Sequence, residues 1–156
     1  GVPEEQCQEA IRYYREYYRD KGIYENQVYD GLEEVLKKLK EVGKQLVVAT
    51  SKPEVFAREI IRYFHLDSYF SYVAGMELDG GRGTKAEVIE YAIRSCGAED
   101  RREVLMIGDR KHDVIGAREA GIDCVGVLYG FGSEEELKEA GAAGIAASVE
   151  DILKYA

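Results

Sequence analysis

Polar side chains that could handle a phosphoryl group stand at the ends of apolar runs in this sequence. Thr50 and Ser51 directly follow one apolar run, and Asp109 and Asp113 follow another. Lys85 opens a helical pattern after a glycine-rich stretch. Two carboxylates across a strand-to-helix turn can face one crevice, where their hard oxygens suit Mg²⁺. With a hydroxyl and an ammonium to stabilise phosphoryl oxygens, they predict a site for a phosphate group and a metal ion.

Each of these residues also has a purely structural interpretation, which the sequence alone leaves open. Asp113 can cap its helix while Asp109 lies in a turn. Lys85 can be a solvated surface residue, and a hydroxyl after a strand commonly caps the next helix. His112, in a basic turn, is interpreted as solvent-facing, and the acidic run at 133–136 as a solvated helix start.

Strands and helices alternate along the chain in the order needed to position these residues. Short apolar runs predict strands at 46–49, 72–75, 104–107 and 124–128, and apolar residues spaced three and four apart predict the helices between them. Ser51 with Glu54, and Thr84 with Glu87, have the spacing of a capping box at a helix start. This alternation indicates an α/β fold with an open parallel sheet between helices, which binds ligands at the carboxyl ends of its strands.

The composition excludes several classes of protein. The chain has 156 residues, 46% of them hydrophobic, and a formal net charge of −9. One domain is expected, and the acidic balance argues against binding to nucleic acid or anionic membranes, which need clustered Lys and Arg. The three cysteines, Cys7, Cys96 and Cys124, have no metal-binding or disulfide spacing. Because no apolar run approaches the ~20 residues that cross a bilayer, we expect a cytoplasmic location.

Three segments resemble motifs of the haloacid dehalogenase superfamily of phosphohydrolases, in particular its phosphoglycolate-phosphatase-like branch with a helical cap. Residues 46–53 (LVVATSKP) are similar to the second family motif and residues 85–89 (KAEVI) to the third. Residues 106–113 (MIGDRKHD) resemble the fourth. The segments occur in the family's order, and the resemblance covers nearly the whole chain from Tyr29 onward.

The resemblance implies a Rossmann-like core and a role for each candidate residue. Thr50 and Ser51 would bind the transferred phosphoryl group, and Lys85 would stabilise its charge. Asp109 would ligate Mg²⁺. Asp113 would either ligate the ion as well or contact it through a water molecule. The family reaction is attack by an aspartate on a phosphate monoester, giving an aspartyl-phosphate that water hydrolyses. The substrate would be a small phosphorylated metabolite.

One motif of the family is missing from the chain. The family nucleophile lies in an Asp-x-Asp motif on the first strand, but no two of the nine aspartates here lie two apart. They are Asp20, Asp30, Asp67, Asp79, Asp100, Asp109, Asp113, Asp123 and Asp151. In the family's sheet order, 3-2-1-4-5, the missing strand is the central one. The nucleophile, the general acid/base and one metal ligand are therefore absent.

The resemblance also divides the chain into two parts. Residues 1–28, with a helix predicted at 3–21, are expected to be the remnant of a helical cap, and residues 29–156 an α/β core lacking its first strand. Without that strand two neighbours keep unpaired edges, and a buried unpaired backbone group costs about 1–3 kcal/mol against a total stability of about 5–15 kcal/mol. We therefore hypothesise that a missing N-terminal segment carrying the Asp-x-Asp strand is a partner of this chain, which is inactive alone.

Two other functions agree with parts of the pattern. A non-catalytic module could keep the phosphate and metal site after losing its nucleophile, and it would act as a sensor or scaffold. A receiver-like phospho-acceptor domain also has a doubly wound sheet and an acidic Mg²⁺ site, with Asp109 as the acceptor. The receiver interpretation is disfavoured because its acidic pair after the first strand is missing and Lys85 precedes Asp109 instead of following it.

Overall fold

Five parallel strands in two separate sheets carry the ends at which the candidate residues lie. The computed structural model describes Tyr13 and residues 22–78 and 81–156. Its strands are β1 (Val47–Pro53), β2 (Tyr72–Met76), β3 (Leu105–Gly108), β4 (Asp123–Val127) and β5 (Gly144–Ala146). β1 pairs in parallel with β2, and β3, β4 and β5 form the other sheet in that order, also in parallel. The predicted parallel α/β fold is therefore confirmed.

Helices pack against both sheets, and a local sequence signal marks the start of one of them. Within the described ranges the α-helices are α1 (Leu32–Glu41), α2 (Glu54–Tyr63), α3 (Lys85–Cys96), α4 (Lys111–Glu119) and α5 (Glu134–Ala140). The capping box predicted for α3 is present, since Thr84 Oγ1 accepts from Glu87 N at 3.2 Å and Glu87 Oε2 accepts from Thr84 N at 2.9 Å. None of the helices in this part of the chain combines the length and the apolar character required to cross a bilayer.

A gap separates β1 from β3, at the place where the expected sheet order 3-2-1-4-5 has its central strand. Among the described residues no strand pairs with the free edge of either. A cavity of about 890 Å³ lies between them, lined by Val47 and Ala49 of β1 and by Leu105 and Met106 of β3. β4, which has a neighbour on each side, buries four of its five residues, whereas β1 buries none completely. The described backbone therefore leaves the gap open.

Helix α3 holds the two sheets together across this gap. It packs on β1 and β2 and also on α4, which covers β3 and β4. Val88 of α3 packs with Ala74 of β2, whereas Ile89 packs with Val114 of α4. A third core cluster joins α1 to β4 and β5, and its buried members are Val35, Leu39, Val125, Val127, Ala146, Val149 and Ile152. The packing of α3 therefore connects the two sheets, which no described strand joins.

The structure corrects some of the sequence-based predictions. β1 continues through Ser51 to Pro53, and α2 begins without a side-chain cap, so the predicted Ser51–Glu54 capping box is wrong. The short strand β5, Gly-Ile-Ala, is not predicted because three residues are too few to give an apolar pattern. The helix predicted at 3–21 lies outside the described residues, Tyr13 apart, as do residues 79 and 80 of the glycine-rich loop.

Replacing His65 by glycine should stabilise the protein. His65 follows α2 with φ 56°, a left-handed conformation that glycine adopts with little strain. We expect His65→Gly to raise the free energy of unfolding by about 0.5–1 kcal/mol, measured by urea denaturation.

Gly97→Ala is the matched control, because Gly97 ends α3 with φ 70° and an added Cβ there would meet no atom within 4 Å. It should lower the stability by a similar amount. A decrease in stability with His65→Gly would contradict the backbone argument.

Candidate functional site

Lys85 bridges the two sheets at the carboxyl end of the gap. Its Nζ donates to the carbonyl oxygen of Ala49 in β1 at 2.8 Å and pairs with Asp113 Oδ1 of α4 at 2.8 Å. Both charged side chains are only 12% exposed. Gly116 of α4 permits this approach, because a Cβ at that position would lie 2.8 Å from Lys85 Cγ. The structure thus brings the ammonium next to Thr50, which follows Ala49 in β1.

Both carboxylate oxygens of Asp113 are engaged by protein donors. Oδ1 pairs with Lys85, and Oδ2 accepts from the backbone nitrogens of Asp109 at 3.0 Å and Arg110 at 3.1 Å. Asp113 is 8% exposed and stabilises the start of α4. Asp113 therefore makes the contacts that the structural interpretation predicts, together with the Lys85 contact at the candidate site.

Asp109 is the carboxylate that keeps an oxygen open. Its Oδ2 accepts from Phe131 N at 2.8 Å, and no donor among the described residues contacts Oδ1. No group of three or more His, Cys, Asp or Glu in the described ranges could hold a metal ion. Proteins commonly bind Mg²⁺ through one or two carboxylates, the remaining ligands being water and substrate phosphate. A single open carboxylate oxygen therefore fits part of a Mg²⁺ site, and further ligands must come from elsewhere.

The two hydroxyl residues lie at the same end of β1. Thr50 Oγ1 accepts from Lys52 N at 3.2 Å, which leaves the hydroxyl hydrogen available to an anion. Ser51 is exposed beside it. His112 is exposed as predicted, at the start of α4. The structure thus places Thr50, Lys85 and Asp113 at one end of the gap, joined through Ala49.

Two ionisable groups near the site stay neutral at ordinary pH. Burial, reinforced by the nearby Asp113 carboxylate, raises the pKa of the Cys124 thiol to about 12. Burial also raises the pKa of Tyr129 to about 12, with smaller contributions from Tyr29 and Asp109. Neither the thiol nor the phenol is therefore an ionised nucleophile at ordinary pH.

The sequence analysis missed residues that brace the site from distant segments. Glu54 Oε2 accepts from Arg82 Nη2 at 3.1 Å, and Arg82 Nε donates to the Gly75 carbonyl at 3.2 Å, which ties the loop before α3 to the end of β2. Glu136 was predicted to be a solvated residue at a helix start, but its carboxylate accepts a hydrogen bond from Lys111 N. This hydrogen bond, followed by that from Arg110, lowers the pKa of Glu136. The partners in these contacts, Glu54 with Arg82 and Glu136 with Lys111, are too far apart in the sequence for a local spacing rule to predict them.

The fold and the site define a class of α/β protein with a hydroxyl, an ammonium and carboxylates at the carboxyl ends of parallel strands. The family model described as haloacid dehalogenase-like hydrolase matches residues 2–127. The chain therefore belongs to the haloacid dehalogenase-like hydrolases.

Individual relatives agree with this assignment. A 5'-nucleotidase of Pseudomonas aeruginosa is 50% identical over 138 residues, which cover 88% of this chain and 62% of that protein. Tyrosine-protein kinase PtkA of Mycobacterium tuberculosis is 41% identical over 82% of this chain and 44% of its own length. Phosphoglycolate phosphatase 1 of P. aeruginosa is 26% identical over 100% of this chain and 57% of its own. The resemblance to the phosphoglycolate-phosphatase-like branch is confirmed, and the chain spans less than two thirds of each of these relatives.

A solved structure shows the same fold. The crystal structure of a predicted phosphatase from Clostridium acetobutylicum has a TM-score of 0.94 and 49% identity to this chain. The match covers 99% of this chain and 71% of the other. The arrangement of strands and helices described above is therefore that of a known phosphatase-like fold.

Removing the ammonium of the buried pair should destabilise the protein strongly. Lys85→Met leaves the Asp113 carboxylate without its cation at a site that is 12% exposed, and we expect a loss of about 3 kcal/mol in the free energy of unfolding. Adding Asp113→Asn should recover part of that loss, and a double-mutant cycle by urea denaturation measures the coupling.

The control is Lys138→Met, which removes an ion pair with Glu134 whose side chains are 63% and 52% exposed. It should change the stability by less than about 1 kcal/mol. Equal effects of Lys85→Met and Lys138→Met would show that the Lys85 pair is not a buried interaction.

Proposed function

We propose that this chain forms part of a Mg²⁺-dependent phosphate monoester hydrolase that acts through an aspartyl-phosphate. The observation that carries the proposal is the double contact of Lys85 with the Ala49 carbonyl and Asp113, which sets a shielded ammonium beside Thr50. Membership of the haloacid dehalogenase-like hydrolases supports this reaction. The two free cysteines in the described part, Cys96 and Cys124, agree with the cytoplasmic location that we also propose.

The residues of this chain would bind the phosphate and orient it. The hydroxyls of Thr50 and Ser51 would donate to phosphoryl oxygens, and the Lys85 ammonium would neutralise their charge. Asp109 would hold Mg²⁺ through its open oxygen, while Asp113 fixes Lys85 and the backbone of Asp109. When bound, the ion would add positive charge where the transferred group accumulates negative charge.

The covalent step needs an aspartate that this sequence does not supply. A carboxylate oxygen would attack phosphorus, forming an O–P bond as the ester P–O bond breaks, and the leaving alcohol would take its proton from the general acid/base that the same Asp-x-Asp motif would supply. That group would then take a proton from water as the water oxygen attacks phosphorus, and cleavage of the aspartyl O–P bond would release inorganic phosphate and restore the carboxylate. We propose that the Asp-x-Asp strand enters the gap between β1 and β3 in parallel, where it would pair with both free edges and bring the aspartate beside Lys85.

Completing the sheet should switch on catalysis. The 156-residue chain alone should show no hydrolysis of p-nitrophenyl phosphate. A peptide with an apolar strand followed by Asp-x-Asp should restore turnover that EDTA abolishes, because it supplies the nucleophile and a second metal ligand. The same peptide with asparagine in place of its first aspartate should bind without restoring turnover.

Alkylation of Cys96 is a second measurement, which shows whether the peptide occupies the gap even when no turnover is seen. Cys96 lines the cavity and is half-buried, so bound peptide should slow its alkylation, whereas Cys124, 3% exposed, should stay unreactive throughout. Protection of Cys96 without turnover would favour the non-catalytic phosphate- and metal-binding module. Failure of either peptide to protect Cys96 would contradict the strand position.

Nucleoside 5'-monophosphates are the substrate class that we propose. The 5'-nucleotidase relative is 50% identical to this chain, and Phe131, 87% exposed beside Asp109, offers an aromatic surface to a planar base. In the completed enzyme, kcat/KM for a nucleoside 5'-monophosphate should exceed that for phosphoglycolate by about 10-fold. Phe131→Ala should lower the nucleotide value and spare the phosphoglycolate value. A preference for phosphoglycolate would contradict this assignment.

A further inference from the structure

The turn that carries Asp109 is held by a segment more than twenty residues away. Phe131 N donates to Asp109 Oδ2 at 2.8 Å, and Gly132 N donates to the Asp109 carbonyl oxygen at 2.9 Å. A Cβ on Gly132 would lie 2.1 Å from that carbonyl oxygen, so the two backbones can approach this closely only with glycine at this position. The segment after β4 therefore fixes both the side chain and the backbone of Asp109.

Glu136 extends this support to the next two residues of the turn. Its Oε1 accepts from Lys111 N at 2.9 Å and from Arg110 Nε at 2.9 Å. Lys111 is the first residue of α4, so its N–H has no partner within the helix, and the Arg110 side chain before it cannot accept a hydrogen bond. Glu136 is itself fixed in α5, because its backbone nitrogen donates to the capping hydroxyl of Ser133 at 3.1 Å.

We propose that Glu136 is a positioning residue for Asp109. By fixing Arg110 and Lys111, it keeps one oxygen of Asp109 on the Phe131 amide and leaves the other open to a divalent cation. The cation is part of the proposed function, so that half of the inference rests on it. The orientation of the Asp109 carboxylate is a separate property that can be measured without metal.

Neighbouring acidic residues provide the controls. Glu135 is exposed and makes no side-chain hydrogen bond or ion pair with the described residues, so Glu135→Ala removes the same charge from the same helix without removing a bond to the turn. Glu136→Gln keeps an oxygen that can accept both hydrogen bonds. Glu136→Ala leaves the N–H of Lys111 without its acceptor.

The first measurement is the chemical shift of the Phe131 amide proton in the 156-residue chain, which reports its hydrogen bond to Asp109. We expect Glu136→Ala to move this signal upfield, Glu136→Gln to move it less and Glu135→Ala to leave it in place. If Glu136→Ala does not fold, a smaller upfield shift in Glu136→Gln still supports the proposal. The proposal is overturned if Glu136→Gln and Glu136→Ala shift the Phe131 amide signal no more than Glu135→Ala does.

The second measurement uses Mn²⁺ as a paramagnetic probe of the cation site. In the unaltered chain Mn²⁺ should broaden the Phe131 amide, and Glu136→Ala should raise the Mn²⁺ concentration required by about 10-fold, as for other residues that orient metal ligands. If Glu136→Ala and Glu135→Ala need the same Mn²⁺ concentration to broaden the Phe131 signal, Glu136 has no effect on cation binding and that part of the proposal is wrong. If Mn²⁺ never broadens this signal, the metal assignment in the proposed function is wrong, and the amide shift still decides whether Glu136 positions Asp109.

Discussion

The hydrogen bond from Lys85 to the Ala49 carbonyl is the interaction on which the site depends. It connects the start of α3 to β1, and the ion pair of the same ammonium with Asp113 connects it to α4. One charged group therefore links two sheets that no described strand joins. Because a shielded charge is costly unless it is paired, the geometry around Lys85 tolerates little displacement. The same constraint fixes the position of the ammonium between β1 and α4.

Local sequence signals predicted the parts of the fold that depend on neighbouring residues. The box of Thr84 and Glu87 starts α3 as expected, and the apolar runs became four of the five strands in the described part. The corresponding spacing of Ser51 and Glu54 failed because Glu54 instead accepts from Arg82, 28 residues away. A spacing rule cannot show which of two available partners a carboxylate will contact in the folded chain.

The residues of the candidate site could be predicted from the sequence, but the contacts that each of them makes could not. The spacing predicted that Asp109 and Asp113 lie at the end of one strand. It could not show that both carboxylate oxygens of Asp113 would be bonded to protein donors, while one oxygen of Asp109 stays open. That difference arises from tertiary contacts, including the Phe131 amide on Asp109. The contact of Glu136 with Lys111 had no sequence signal, since the two residues lie 25 positions apart.

The open edges of β1 and β3 also bear on how such a chain behaves in a crowded cell. An unpaired strand edge is a template for any extended segment, and the runs around Val47 and Ile107 are apolar and rich in β-branched residues. While the space between them is empty, these edges can recruit extended strands from other molecules. Copies of the chain in which this space stays empty should therefore tend to aggregate through these two strand edges.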